Sequence, residues 1–150
     1  QQVSDDYLAR SGVTLTHGGD RACYRPSDDG ITMPEFDAFT SGAAYHATLF
    51  HEEIHSTGHK SRLNRLSKTA AFGSGEYSRE ELVAEMGAAF LCGAVGIQQP
   101  EIDENRDAYI QSWIKALQDD EKALVVAAGK AAKAADLILD GDLTEGDSTD

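Results

Sequence analysis

A chain of 150 residues with 41 % apolar and 26 % charged positions can build one ordinary core and is neither fibrous nor disordered in composition. Its 26 Asp and Glu against 13 Lys and Arg leave a formal charge of −13, a surface that repels phosphate backbones and disfavours nucleic-acid binding by this segment alone. Cys23 and Cys92 are too few for a disulfide framework and read as reduced, buried small hydrophobes; no stretch resembles a membrane span or secretion signal, so a cytoplasmic location with no membrane partner is expected.

Residues 4–11 read as a short helix, with Asp5 and Asp6 in its first turn and Gly12 at its end. Residues 13–16, 21–25 and 31–33 are extended runs separated by His17-Gly18-Gly19-Asp20 and Pro26-Ser27-Asp28-Asp29-Gly30. Joined by such tight turns, they predict a small antiparallel sheet. From Ser41, a capping residue, Tyr45, Thr48, Leu49, Glu52 and His55 recur at three- and four-residue steps, which predicts a helix ended by Thr57-Gly58. Residues 58–77 are polar, carry Lys60, Arg62, Arg65 and Lys68, and read as a connecting loop. Ser78 opens a second helix that weakens at Gly93 and Gly96 and stops before Pro100. Further helices are expected over residues 105–117, around Trp113, and over the alanine-rich residues 120–139. A sheet followed by helices is α+β, with one domain over residues 1–139 and an acidic, disordered tail over 140–150.

The helix from Ser41 contains His51-Glu52-Glu53-Ile54-His55. A four-residue step is slightly more than one turn, so the two imidazoles leave the same face about 6 Å apart along the axis and can share one ion. Two neutral histidines and one carboxylate suit Zn²⁺ with a fourth position for water, whose pKa the metal lowers toward neutrality. Glu52, beside that face, is placed to take the proton and return it to a leaving amine. The third ligand is sought on the next helix, where Glu81 and Glu85 share a face. The pair resembles the gluzincin metallopeptidases, which implies Glu81 as ligand and Glu85 as the residue that orients a ligand histidine. Ser78-Arg79-Glu80-Glu81 is also a capping box, in which Glu81 would be tied to the Ser78 amide and Glu85 would bind the metal instead. His59 and Tyr77 are candidates for steadying an oxyanion. The metzincin pattern fails, because Ser61 stands where that pattern needs its third histidine. His17 and His46 have no partner in a recognisable spacing and read as structural.

Three blocks in order, residues 45–59, Ser61-Arg62-Leu63-Asn64-Arg65 and residues 77–91, together with Asp29-Gly30-Ile31-Thr32-Met33-Pro34 and Tyr109-Ile110-Gln111-Ser112-Trp113, look like the zincin-like metallopeptidase domain of plasmid antirestriction proteins of the ArdC family. The resemblance covers all but the acidic tail. It implies one Zn²⁺ held by His51, His55 and Glu81, a Glu52 base, a protein or peptide substrate, and carriage on a plasmid or other mobile element. It also implies that single-stranded DNA is bound by a preceding domain; the chain starts at Gln1, as a fragment would, and that function is not carried to these residues. Glu53 stands where relatives often have leucine. The alternative is a non-enzymatic antirestriction module that binds a restriction enzyme through its acidic surface, with the zinc structural.

Overall fold

The computed structural model describes residues 1–66, 75–98, 114 and 121–141. The helix expected over 105–117 with its Trp113, and the tail from residue 142, lie outside them. Helix α1 spans Gln2–Ser11 and ends on Gly12, whose φ of 74° is the left-handed conformation that a glycine adopts without strain; its N–H caps Leu8 O at 3.1 Å. Strands β1 (Thr14–His17), β2 (Cys23–Arg25) and β3 (Gly30–Met33) form one sheet in the order β1-β3-β2.

The sheet is mixed, not wholly antiparallel. β2 and β3 form the expected hairpin, with Tyr24 opposite Ile31, but β1 runs parallel to β3, with Leu15 opposite Ile31. Neighbours in sequence need not be neighbours in space. The residues after β1 step over the position that β3 takes, a reach of two strand spacings, or about 9.6 Å, which five residues cover easily. β3 becomes the central, buried strand, and β1 and β2 are both edges.

A 3₁₀ turn at Phe36–Ala38 leads to α2 (Gly42–Thr57). Ser41 caps it as expected, its Oγ accepting the Ala44 N–H at 3.1 Å. Helix α3 spans Gly75–Val95, so Ser78 lies inside it and is not its cap. Helix α4 spans Glu121–Asp140 and buries Ala127, Ala131, Ala134, Ala135 and Ile138, a helical stripe of small side chains that lets it approach closely. The main core joins Tyr7, Phe50, Ile54, Val83, Leu91 and Ile138; a second cluster of Val13, Ile31, Met33, Tyr45 and Leu49 fastens the sheet to α2. No helix among the described residues is long and apolar enough to cross a membrane.

Arg62 locks these parts together. Its guanidinium pairs with both carboxylate oxygens of Asp29, in the β2–β3 turn, and its Nε donates to Ser56 O at 2.8 Å at the end of α2. Tyr24 adds a third contact to Asp29 at 2.7 Å. Burial alone would raise the Asp29 carboxyl, but Arg62 and Tyr24 outweigh it and hold the group below its ordinary range. The sheet is thereby fixed against the end of the helix that carries the two histidines.

Candidate metal centre

His51 and His55 leave α2 on one face with their Nε2 atoms 3.1 Å apart. Helix α3 packs closely alongside at Gly87, where an added Cβ would lie 2.6 Å from Ile54 Cδ1. That approach brings Glu81 between the imidazoles: Oε1 is 3.2 Å from His55 Nε2 and Oε2 is 3.5 Å from His51 Nε2. Bonds of about 2.05 Å at tetrahedral angles put ligand atoms about 3.3 Å apart, and these three separations bracket that value. The three side chains therefore fit one divalent ion. Of the two acids that the sequence leaves open, Glu81 is the one facing both Nε2 atoms; Glu85 lies behind, its Oε1 3.2 Å from His51 Nδ1.

The cluster is strongly charged. Burial lowers the His51 pKa, but hydrogen bonds to Glu81 and Glu85 outweigh it and push it up to about 10. His55 is raised in the same way by Glu80 and Glu81 against its burial, and both imidazoles hold Glu81 well below the usual carboxylate range although burial opposes this. An incoming cation must displace protons from these rings.

Each imidazole has a carboxylate at its back. Glu85 meets His51 Nδ1, and Glu80 Oε1 meets His55 Nδ1 at 3.5 Å. Glu80 is in turn gripped by Arg65 through contacts of 2.8 and 3.2 Å, and Arg65 also donates to Ile54 O and Thr57 Oγ1, both at 2.8 Å. Such partners fix the tautomer and aim each Nε2 lone pair at the common centre. Sequence reasoning missed Glu80 and Arg65. Glu80 is hidden by its neighbour Glu81, and Arg65 is one of several loop cations until α3 is placed in space.

Glu52 is buried and lines the same cleft of about 890 Å³ as the triad. It makes no side-chain hydrogen bond among the described residues, so its acceptor oxygens are available. Tyr77 lines the cleft as well. His59 does not: its Nδ1 sits 2.7 Å from Ser61 Oγ and accepts the Ser61 N–H at 3.2 Å, a turn contact away from the triad. Cys92 is buried as expected, whereas Cys23 is exposed and lines the cleft from β2, because that edge strand turns one side to the opening. His17 is structural, its Nε2 2.8 Å from the Tyr45 hydroxyl.

A family model describing a zincin-like metallopeptidase matches residues 2–130. The antirestriction ArdC protein from the R388 plasmid is similar in structure: its Mn(II)-bound crystal structure gives a TM-score of 0.77 at 41 % identity, over 92 % of this chain and 51 % of that one. Its metal-free structure gives 0.73. DNA primase TraC of Escherichia coli is 44 % identical over 137 residues, which cover 91 % of this chain and 9 % of that protein. Protein y4eC of Sinorhizobium fredii is 39 % identical over 133 residues, covering 89 % of this chain and 43 % of that one. The chain thus spans less than half the length of these curated relatives. A match that runs from α1 to the middle of α4 takes in His51, His55 and Glu81, and the chain belongs to the zincin-like metallopeptidase family that ArdC antirestriction proteins share.

Proposed function

We propose that this chain is a zinc-dependent peptidase domain of an ArdC-type antirestriction protein carried by a mobile element. The observation that carries the reading is the spacing of His51 Nε2, His55 Nε2 and the Glu81 carboxylate, with Glu52 in the same cleft. Two imidazoles and one carboxylate favour zinc over calcium or magnesium, which prefer oxygen cages. An ion held by His51, His55 and Glu81 would supply Lewis acidity that lowers the pKa of a hydrolytic water toward neutrality.

The chain's own residues do the rest. Glu52 would take the proton of the water whose oxygen adds to the peptide carbonyl, and would give it to the amine nitrogen as the C–N bond breaks. Glu80 and Glu85 hold the imidazoles, with Arg65 behind Glu80. β2 is an edge strand lining the cleft, so its outer backbone groups can pair with an extended polypeptide. The Tyr77 hydroxyl is the remaining donor for a developing oxyanion. The partner is a protein or peptide.

Metal analysis and cleavage of unfolded polypeptide test this together. The native chain is expected to hold about one zinc and to cleave, and Glu52→Gln to keep the zinc and lose at least about a hundredfold in rate. Full cleavage by Glu52→Gln overturns the assignment of the base, and a folded sample with less than about half an equivalent of zinc overturns the site. Retained zinc with no cleavage by the native chain would favour a structural ion in a module that binds a restriction enzyme.

A further inference from the structure

The described residues that line the cleft around the triad carry a charge opposite in sign to that of the chain. Among the described residues lining it, five are cationic (Arg21, Arg65, Arg79, Lys122 and Lys130) and three are anionic (Glu52, Glu80 and Glu81). Glu80 is engaged by Arg65 and His55, and Glu81 by both imidazoles. A divalent ion at the triad would make the interior more positive still. Outside the cleft the described residues carry more acidic than basic side chains.

The cations come from separate elements. Arg21 stands just before β2, Arg79 near the start of α3, and Lys122 and Lys130 on α4. Lys122, Val126 and Lys130 follow one another at four-residue steps, so all three face one way, and all three line the cleft. Arg21 and Lys130 are exposed and make no hydrogen bond or ion pair among the described residues.

We infer that this cleft selects polypeptide segments rich in aspartate or glutamate, through Arg21 and Lys130; the inference rests on the reading of the site as a peptidase. Screening confines the field of these cations to about 8 Å at physiological salt, so a short acidic segment inside the cleft feels them and little else. A long polynucleotide would also meet the negative exterior. The free edge of β2 further favours a polypeptide, because it pairs with a peptide backbone and not with a sugar–phosphate one.

Binding separates this inference from catalysis. The zinc-loaded chain carrying Glu52→Gln is titrated into short, capped, fluorescent peptides, one Asp-rich and one with Asn in place of Asp, and into a single-stranded oligonucleotide. The Asp-rich peptide is expected to bind about tenfold tighter than its Asn counterpart at low salt, with the advantage shrinking as salt is added. Arg21→Gln combined with Lys130→Gln is expected to remove most of that preference while zinc content and binding of the Asn peptide stay unchanged. Equal affinity for the two peptides, a preference that survives the double variant, or tighter binding of the oligonucleotide each overturns the inference. Charge-selective binding with no cleavage of either peptide by the native chain upholds the selection and removes the peptidase reading. Cleavage without charge preference does the reverse.

Discussion

Helix α2 has two polar sides, and their carboxylates meet opposite fates. On the cleft side, Glu80 and Glu81 of α3 face His51, His55 and Arg65, and both stay ionised below the ordinary range because these partners outweigh burial. On the side toward α1, Glu53 is fully buried, and its two oxygens and Ser4 Oγ have no hydrogen-bond partner within ordinary limits among the described residues. Burial dominates there and pushes Glu53 up to about 8, which favours its neutral form. Depth alone does not decide whether a carboxylate keeps its charge. What decides it is whether counter-charges were folded in beside it, and on the cleft side a guanidinium and two imidazoles are.

Arg65→Met breaks the contrast most severely. It leaves Glu80 without its guanidinium and frees Ile54 O and Thr57 Oγ1, and urea titration should show a loss of about 3 kcal/mol. Zinc affinity should fall with it, by about tenfold or more, because Glu80 no longer holds His55; an unchanged affinity would mean that Glu80 does not orient the ring. Gly87→Ala sharpens the comparison, since the new methyl meets Ile54 Cδ1 at 2.6 Å and pushes α3 from α2 without touching α1. Stability should drop by about 2 kcal/mol and zinc binding should weaken in parallel; undiminished zinc binding would show that helix separation does not set the triad. Glu53→Leu acts on the other side of α2 and has a distinctive pH profile. The folded-state value of about 8 lies above the ordinary 4.5, so folding takes up a proton between these values and the Glu53 contribution declines as pH rises through that window. The leucine variant should gain on the native chain as pH rises from about 4.5 toward 8 and lose that gain below pH 4.5 in thermal melts. A gain independent of pH would show that packing, not charge, is responsible.

The site was legible in sequence where its geometry is local. The step from His51 to His55 and the Ser41 cap follow from helical period alone, and the next helix had to offer Glu81 or Glu85. Choosing between those two needed the rotation of α3 about its axis, which no local pattern encodes. Ser78 misled for a related reason, because α3 begins earlier, at Gly75, and a residue suited to a cap stands inside it. Glu80 and Arg65 escaped notice because their role exists only once three segments meet. The strands were found, but the sheet is not antiparallel throughout: β1 takes the far side of β3 and runs parallel to it, and strand order is a long-range property.

The turn after α2 governs how the site can come together during folding. Arg65 reaches back 8 residues to Thr57 and 11 to Ile54, and Arg62 reaches 6 to Ser56, whereas Arg62 to Asp29 spans 33 and Tyr7 to Ser56 spans 49. Short loops close with little entropy lost, so the histidine helix can acquire its finished end before the sheet or α1 docks. Glu80, 15 residues beyond Arg65, is then drawn toward a guanidinium already in position. The order of assembly would run outward from the imidazoles, with the most distant contacts arriving last.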